Sequence, residues 1–189
     1  MRIIAGSAGG IRLQVPGAVA RPTSDRVREA LFSILGSRVD GALVLDLFAG
    51  SGALGLEALS RGAARVDFVE KDRRACVVIE ANLAKARLAD SARVVSREAA
   101  IFLKNAPAGR YDLVFADPPY FKREGDDDWA ADLLADEHLK RVISPAGMVV
   151  LETAKGHGKN VPADGWKLLD SRRYGDTEVS FFLPQGADE

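Results

Sequence analysis

Short apolar segments alternate with helical segments between residues 42 and 152, and this alternation limits the possible folds more than any other feature. Strands are expected at 42–47, 66–70, 92–95, 111–116 and 148–152, and helices at 53–60, 73–87, 99–104 and 129–142. The strand segments are almost continuously apolar, which is typical of strands covered on both faces. Helices between such strands indicate parallel crossovers. We therefore predict an open α/β sheet.

The two ends of the chain depart from this alternation. Segments 166–174 and 178–183 flank Gly175-Asp176, a pattern typical of an antiparallel hairpin. Segments 2–5 and 11–15 predict a second, short hairpin, joined by the glycine-rich residues 6–10. Pro22-Thr23-Ser24 then begins a helix that ends near Leu35, before Gly36. The predicted buried face of that helix consists of Val27, Ala30, Leu31, Ile34 and Leu35. We predict a small extension at 1–38 and a main domain at 39–189.

Composition is that of an ordinary globular domain. The chain has 189 residues, 47% of them hydrophobic and 28% charged, which suits one domain with a core of its own. The single cysteine, Cys76, precedes Val77, Val78 and Ile79 and is predicted to be a core residue rather than a nucleophile. No disulfide framework is possible, and no apolar run approaches the roughly 20 residues of a membrane span. We expect a cytoplasmic protein.

Charge is balanced overall but unevenly distributed. The formal net charge is −1, which argues against a generic nucleic-acid coat. Residues 1–38 carry six arginines against two acidic residues, whereas residues 124–137 carry seven acidic residues and no Lys or Arg. The asymmetry predicts one basic face that could hold phosphates. The alternative, that both segments are simply solvated surface, stays open.

A glycine-rich segment follows the first predicted strand. Gly50 and Gly52 allow a ligand to approach the backbone, and Gly55 allows close packing of helix on strand. Glu70 ends the next strand, where its carboxylate could accept hydrogen bonds from both hydroxyls of a ribose. Gly50, Gly52 and Gly55 also fit the dinucleotide fingerprint, with an acidic residue 20 positions after the first glycine. A nicotinamide dehydrogenase is therefore a serious alternative function at this point.

Two aspartates favour a methyl donor over a dinucleotide. Asp46, four positions before Gly50 at the end of a strand, would repel a pyrophosphate but attract the ammonium and sulfonium groups of S-adenosylmethionine, directly or through water. Asp117 lies in an Asp-Pro-Pro-Tyr turn that has no evident use in hydride transfer. The sequence also shows no plausible Tyr-Lys or His-Asp pair to act as the acid of a dehydrogenase.

The turn at Asp117-Pro118-Pro119-Tyr120 ends the apolar strand 111–116. Two successive prolines fix two φ angles and remove two backbone donors, which leaves carbonyl groups free to accept. An aromatic ring can stack on a flat heterocycle while a carboxylate and a carbonyl accept hydrogen bonds from its exocyclic amine. The alternative is an ordinary turn with an incidental tyrosine, because Asp and Pro favour turns anyway.

Other candidates carry weaker signals. Glu98 follows the third strand and could reach an adenine amine, but an acidic residue at the start of a helix is an equally good explanation. Lys71 and Glu152 are placed near strand ends, although exposure to solvent explains both. His138 and His157 lack neighbours at ligand spacing, and the adjacent Asp126, Asp127 and Asp128 cannot all point at one ion. We predict no metal site.

Several blocks resemble the RsmD family, bacterial enzymes that methylate N2 of one guanine in 16S ribosomal RNA. The blocks are Arg2-Ile3-Ile4-Ala5-Gly6, Arg21-Pro22-Thr23-Ser24-Asp25-Arg26-Val27-Arg28-Glu29-Ala30-Leu31-Phe32, Leu45-Asp46-Leu47-Phe48-Ala49-Gly50-Ser51-Gly52, Leu54-Gly55-Leu56-Glu57-Ala58, Ser60-Arg61-Gly62-Ala63 and Asp117-Pro118-Pro119-Tyr120. The last turn is shared with many amino-methyltransferases. The block at residues 21–32, combined with residues 46–63, is much more specific, and the resemblance runs almost end to end.

The resemblance implies a Rossmann-like class I methyltransferase fold with a seven-stranded, mostly parallel sheet, S-adenosylmethionine as cofactor, and 16S rRNA as partner within a small-subunit assembly particle. We also expect a monomer without membrane contact. The implied catalytic residues are Asp117, Pro118, Pro119 and Tyr120. The implied cofactor residues are Asp46, Phe48, Gly50, Ser51, Gly52, Glu70, Lys71, Glu98 and Ala99. The implied substrate residues are Arg21, Thr23, Arg26 and Arg28, although arginines on a helix surface could equally order the site.

One departure and several alternatives remain. The family usually has Asp-Ala after the third strand, where this chain has Glu98-Ala99, so the contact with adenine is less certain. An amino-methyltransferase acting on adenine in DNA or on a protein glutamine amide is the second class. The third class comprises a nucleotide-cofactor oxidoreductase and a non-catalytic RNA-binding domain.

Overall fold

The computed structural model describes residues 1–17, 24–118, 129–155 and 164–185. The helices in these ranges are α1 (Asp25–Leu35), α2 (Ala53–Ser60), α3 (Arg73–Ala86), α4 (Ala99–Asn105), α5 (Trp129–Ala135) and α6 (Glu137–Val142). The strands are β1 (Leu43–Leu47), β2 (Arg65–Glu70), β3 (Ala92–Ser96), β4 (Tyr111–Ala116), β5 (Ile143–Ala154), β6 (Trp166–Tyr174) and β7 (Thr177–Pro184).

The seven strands form a mixed sheet with the order β3-β2-β1-β4-β5-β7-β6. This confirms the predicted open α/β sheet with an antiparallel hairpin at its C-terminal end. The chain divides into two compact units, Met1–Phe102 and Leu103–Glu189. Residues 1–17 and α1 belong to the first of them, and the boundary predicted at 38/39 stays a prediction.

The first unit contains three parallel strands, β1 beside β2 and β2 beside β3. Helix α2 packs on β1 and β2, and α3 packs on β2 and β3. Val44, Leu45, Val66, Phe68 and Ile79 are all at most 1% exposed, so the central strands are covered as their apolar sequence predicts. The carboxyl ends of the three strands share one edge, because their register is parallel.

The second unit combines parallel and antiparallel pairing. Strand β4 runs parallel to β5, whereas β7 is antiparallel to both β5 and β6. The hairpin between β6 and β7 turns at Gly175, whose φ of 64° favours glycine. The indole Nε1 of Trp166 donates to the carbonyl of Leu134 over 2.8 Å, which ties the start of β6 to α5. The sequence pattern predicted this hairpin correctly.

The helix predicted at 129–142 is instead two helices. Asp136 separates them and caps α6, because its side chain accepts a hydrogen bond from the backbone N–H of His138 over 2.8 Å. The prediction missed an N-cap signal inside an apolar periodic segment. The following strand is also longer than predicted and extends from Ile143 to Ala154.

The N-terminal region also differs from the prediction. A single antiparallel bridge between Arg2 and Arg12 replaces the two predicted strands. On α1, Ile34 is 40% exposed although it was predicted on the buried face. The buried residues are Val27, Arg28, Leu31, Phe32 and Leu35. Ile34 lies roughly 90° from the centre of that stripe at 100° per residue, so the true face is rotated toward Arg28.

Close packing of α2 against β2 depends on Gly55. A Cβ atom at this position would lie 2.3 Å from Cε1 of Phe68 and 2.9 Å from Cγ1 of Val66. This supports the helix-on-strand role that the glycine spacing predicted. The helix can therefore approach the sheet only where no side chain intervenes.

We expect Gly55→Ala to lower the free energy of unfolding by about 1–2 kcal/mol. Overpacking a core costs about 1–3 kcal/mol, which exceeds the gain of up to about 1 kcal/mol in helix propensity. Urea denaturation measures the difference. Gly17→Ala is the matched control, since a Cβ atom there meets nothing within 4 Å. A Gly55→Ala protein as stable as wild type would contradict the packing argument.

Candidate active site

The loop between β1 and α2 has a backbone that is held by hydrogen bonds. Its φ angle is positive at Phe48 (60°), Gly50 (54°) and Gly52 (75°). The N–H of Ala49 donates to the carbonyl of Val69 over 3.1 Å, and the N–H of Gly52 donates to the carbonyl of Ala49 over 2.7 Å. Positive φ at the non-glycine Phe48 costs free energy and is typical of functional loops. These hydrogen bonds hold the loop in a conformation with three positive φ angles.

Asp46 is the last but one residue of β1, and its side chain reaches the first turn of α2. Its Oδ2 accepts a hydrogen bond from the N–H of Gly55 over 2.9 Å. Gly55 is the third residue of α2, so the carboxylate caps the positively polarised end of that helix. In a dinucleotide site the same helix end is where the pyrophosphate binds. Here the carboxylate of Asp46 occupies that helix end.

Burial is the main cause that raises the pKa of Asp46 to about 8; the hydrogen bond from Gly55 opposes this shift and the negative charge of Glu70 adds to it. The side chain is 3% exposed. A cation bound nearby would stabilise the ionised carboxylate and lower this pKa. The site is thus suited to a positively charged ligand.

Glu70 ends β2 and is bonded to the same loop. Its Oε2 accepts from the N–H of Gly50 and its Oε1 accepts from the N–H of Asp72, each over 2.9 Å. A carboxylate has about four lone-pair positions, so each oxygen retains capacity for a further donor such as a ribose hydroxyl. The ribose contact itself stays a prediction.

The other predicted cofactor residues differ in how far they are buried. Phe48 and Gly50 are half-buried and Ser51 and Gly52 are buried, whereas Lys71 and Glu98 are exposed and Ala99 is half-buried. Glu98 follows Arg97, whose backbone N–H donates to the carbonyl of Glu70 over 3.0 Å. The structure therefore brings the ends of β1, β2 and β3 together. The role of Glu98 toward adenine stays a prediction.

The predicted catalytic turn begins in the second unit, directly after β4. Asp117 is half-buried and Pro118 is buried. Ala116 pairs with Leu151 of β5, so Glu152 follows on the neighbouring strand, where it is 6% exposed rather than on the surface. Pro119 and Tyr120 lie outside the described residues.

The structure describes two of the four predicted substrate residues, Arg26 and Arg28. Arg21 and Thr23 lie outside the described residues. Arg26 is exposed on α1, where a phosphate can reach it. Arg28 is 0% exposed. Its burial bears on whether this arginine grips a phosphate or orders the site, which the sequence left open.

Arg28 is held inside the protein. Its Nη2 donates to the carbonyl of Arg2 and, over 2.9 Å, to Oδ1 of Asp25. Desolvation lowers the pKa of its guanidinium, while the charges of Asp25 and Glu57 oppose the shift. Of the two roles that the sequence allowed, these contacts favour ordering of the N-terminal region over gripping a phosphate.

Comparison with known proteins adds to this geometry. The model of a family described as "Conserved hypothetical protein 95" matches residues 1–183. "Ribosomal RNA small subunit methyltransferase D" of Escherichia coli K12 is 41% identical, over 100% of this chain and 92% of its own length. "Putative rRNA methyltransferase YlbH" of Bacillus subtilis is 37% identical, over 98% of this chain and 100% of its own. The chain belongs to the RsmD family.

Solved structures agree with this membership. "Putative methyltransferase yhhF from Escherichia coli" is 38% identical, with a TM-score of 0.79 over 97% of both chains. A putative methyltransferase solved in complex with SAH, SMU.776, is 19% identical, with a TM-score of 0.67 over 83% of this chain and 48% of its own, and it shows the fold alone. The RsmD-family chain has the Rossmann-like class I fold of S-adenosylmethionine-dependent methyltransferases.

Among the described residues, no group of three or more His, Cys, Asp or Glu side chains is arranged to hold a metal ion. Within the same ranges, no helix is long and apolar enough to cross a membrane. Cys76 is buried, and its thiol donates to the carbonyl of Glu70 over 3.4 Å. Burial raises the pKa of this thiol, which suits its predicted place in the core.

Sequence reasoning missed three buried polar residues of this RsmD-family chain. Glu57 and Asn82 are 0% exposed and Ser60 is 3% exposed, and all three bond to the backbone of residues 4–14. Their signal was present, since each is a polar residue within an apolar helix segment. Such residues need partners when they are buried, and the sequence did not show which partners these would be.

Proposed function

We propose that this protein is an S-adenosylmethionine-dependent methyltransferase that acts on the exocyclic N2 amine of a guanine in 16S rRNA of the small ribosomal subunit. The assignment of S-adenosylmethionine as cofactor rests on the carboxylate of Asp46, which accepts a hydrogen bond at the N-terminus of α2. The substrate half is supported by full-length relatives that are named as small-subunit rRNA methyltransferases. The specificity for guanine N2 rests on the resemblance described above.

The first unit fits the proposed cofactor. Glu70, together with Asp46 once a bound cation has ionised it, gives the loop a negative field, which attracts an ammonium and a sulfonium group and repels a pyrophosphate. A Cβ atom at Gly52 would already lie 3.2 Å from the side chain of Ile79, so the loop is packed from behind by α3. The cofactor supplies an electrophilic methyl group on sulfur. The residues proposed to hold it are Asp46, Phe48, Gly50, Ser51, Gly52, Glu70, Lys71, Glu98 and Ala99.

The Asp117 turn is proposed to hold the base. A guanine flipped out of its RNA would stack on Tyr120, and its N2 amine would donate to the Asp117 carboxylate and the Pro118 carbonyl. These two acceptors orient the nitrogen lone pair toward the methyl carbon, so that an N–C bond forms as the S–C bond breaks. The amine then loses one proton, to Asp117 or to water. Positioning of this kind can supply several kcal/mol of the barrier reduction.

The N-terminal region is proposed to bind the RNA backbone. Arg26 is exposed on α1, and Arg21 and Thr23 precede that helix in the chain. Arg28 would order this region rather than touch phosphate, because it is buried. The net charge of −1 is low for a protein that binds naked RNA, which favours a substrate that already carries ribosomal proteins. We propose a cytoplasmic monomer acting on such a particle.

Transfer of a labelled methyl group tests this proposal. Purified protein and labelled S-adenosylmethionine are incubated with naked 16S rRNA and with small-subunit particles from cells that lack the gene. We expect label in N2-methylguanosine after nuclease digestion, with more transfer to particles than to naked RNA. Mapping of methylguanine in 16S rRNA from cells with and without the gene locates the nucleotide.

Other products would select an alternative class. Label in N6-methyladenosine of DNA, or in a protein glutamine, would replace the proposal with the second class of amino-methyltransferase. Calorimetric binding of NADH without binding of S-adenosylmethionine would contradict the cofactor assignment and indicate an oxidoreductase.

A further inference from the structure

Residues 1–14 are docked onto the first unit by bonds to two helices. On α2, Glu57 accepts from the N–H of Ile4 over 2.7 Å and from that of Ala5 over 3.1 Å. Ser60, at the end of α2, accepts from the N–H of Ala8 over 2.9 Å and donates to the carbonyl of Ala5 over 2.6 Å. These contacts attach the first part of the segment at the C-terminal half of α2, whereas the loop between β1 and α2 (residues 48–52, the cofactor loop) precedes the N-terminus of that helix.

The approach at that end is too close for any side chain. A Cβ atom at Gly6 would lie 1.8 Å from the carbonyl oxygen of Ser60, and the φ of Gly6 is +85°. The N–H of Ser7 donates to the same carbonyl over 2.7 Å. Ser60 thus attaches the segment tightly at this end of α2. A variant of Ser60 can therefore serve as the control for a second attachment, at Asn82.

The second attachment, at Asn82 of α3, also reaches the cofactor loop. The Oδ1 of Asn82 accepts from the N–H of Gln14 over 2.8 Å, and its Nδ2 donates to the carbonyl of Gln14 over 2.9 Å. The same Nδ2 donates to the carbonyl of Ser51 over 3.2 Å. One buried amide therefore bonds both the N-terminal segment and the loop.

The side-chain amide of Asn82 has the donors and the acceptor that its bonds to Gln14 and Ser51 require. An amide has two N–H donors, and these two hydrogen bonds use both of them. The reciprocal pair with Gln14 fixes the plane of the amide, in the way that two residues pair across strands. With that plane fixed, the remaining N–H points at Ser51, between Gly50 and Gly52. Met1 adds a weaker contact, since the hydroxyl of Ser51 donates to its sulfur over 3.6 Å.

We propose that Asn82 is a positioning residue of the cofactor loop and that the backbone of Gln14 orients it. The N-terminal segment, which is proposed to lie on the RNA side, and the loop proposed to hold the cofactor are then energetically coupled through one side chain. This inference rests on the proposed place of the cofactor in that loop. Coupling is reciprocal, so cofactor binding must in turn stabilise the docked segment.

The first test compares Asn82→Ala with Ser60→Ala. Each variant removes buried hydrogen bonds to the N-terminal segment, and we expect urea denaturation to show a loss of stability in both. Calorimetry with S-adenosylhomocysteine should show affinity lowered about 10-fold for Asn82→Ala, the equivalent of about one lost hydrogen bond. Ser60→Ala should stay within about twofold of wild type, because it has no bond to the loop. Equal affinities for the two variants would overturn the proposal.

The second test removes the backbone donor of Gln14. Gln14→Pro lacks the N–H that orients Asn82, whereas Gln14→Ala keeps it and alters only an exposed side chain. We expect Gln14→Pro to weaken binding of S-adenosylhomocysteine several-fold and Gln14→Ala to leave it unchanged. This pair keeps the proposal testable if Asn82→Ala does not fold. Unchanged affinity in Gln14→Pro would contradict the orienting role.

Amide exchange supplies a readout that a merely structural role would not change. Saturation with S-adenosylhomocysteine should slow exchange of the Gln14 amide in wild type and in Ser60→Ala, but not in Asn82→Ala. Glu70→Ala distinguishes an error in the proposed cofactor site from an error in the proposed coupling through Asn82. If Glu70→Ala binds S-adenosylhomocysteine normally, the proposed cofactor site is wrong. If Glu70→Ala loses binding while Asn82→Ala retains it, the coupling alone is wrong.

Discussion

Replacement of Asp117 by alanine is expected to lower the methylation rate by about 100- to 10,000-fold, the usual effect of losing a group that positions or accepts a proton in the transition state. Affinity for S-adenosylmethionine should stay within about twofold of wild type, since no proposed cofactor contact involves this side chain. Single-turnover methylation of small-subunit particles and calorimetry with the cofactor measure the two quantities separately.

Two further variants sharpen this test. Asp117→Asn keeps a carbonyl oxygen that can accept from the amine but removes the charge, so its rate separates orientation of the amine from acceptance of its proton. Asp112→Asn is the matched control, because Asp112 is an exposed acid on the same strand whose carboxylate bonds the hydroxyl of Ser144. Near-normal methylation by a folded Asp117→Ala protein would show that the carboxylate does not hold the base.

Asp46→Asn is expected to weaken binding of S-adenosylmethionine by about 10- to 100-fold, because a hydrogen bond or ion pair to a charged group contributes about 1.5–3 kcal/mol. The asparagine carbonyl can still accept from Gly55, so the loop should keep its shape. Asp67→Asn is the control, since it neutralises another buried carboxylate of the same unit, on β2. Equal cofactor affinity in Asp46→Asn and wild type would contradict the cation-binding role.

The raised pKa of Asp46 has a second measurable effect. Because this pKa is about 8 in the folded protein, the carboxyl group of Asp46 is mostly protonated at pH 7 when no cation is bound. Binding a cation ionises the carboxyl group, so calorimetry in buffers of different ionisation enthalpy should detect release of up to about one proton per cofactor bound. The Asp46→Asn variant should release fewer protons by the same amount.

The same shift predicts how stability depends on pH. The folded state binds the Asp46 proton more tightly than the unfolded chain, whose pKa is about 3.9. The contribution of this group to stability is therefore fully present below about pH 4 and is lost as pH rises through about 8. Without cofactor, the Asp46→Asn protein should gain stability relative to wild type between these values. Urea denaturation at pH 5, 7 and 9 measures that gain.

Much of the fold followed from local pattern. Continuous apolar strands and intervening helices predicted the open sheet, since a strand covered on both faces has little room for polar residues. Gly55 was assigned its packing role from spacing alone, and the ring of Phe68 stands where a Cβ atom would lie. Asp46 and Glu70 were predicted as ligand groups from their positions at strand ends. Their bonds to Gly55 and Gly50 could not be predicted.

Errors occurred where a side chain competes with a local pattern. Asp136 interrupts an apolar helical segment, because its carboxylate caps a new helix. Arg28 reads as a surface cation in the sequence, but tertiary contacts bury it against Arg2 and Asp25. A charged residue is buried only where partners are available, and one of these partners, the carbonyl of Arg2, lies 26 residues away in the chain.

The sequence by itself determined the class of fold, the family and the loop that we propose for the cofactor, because periodicity, glycine spacing and motif identity are local properties of the chain. Only the tertiary structure decided which polar residues bind the N-terminal segment to that loop. Asn82 is separated from Gln14 by 68 residues and from Ser51 by 31. A hydrogen bond over such a separation depends on how α3 packs against its neighbours, and no local pattern records that packing.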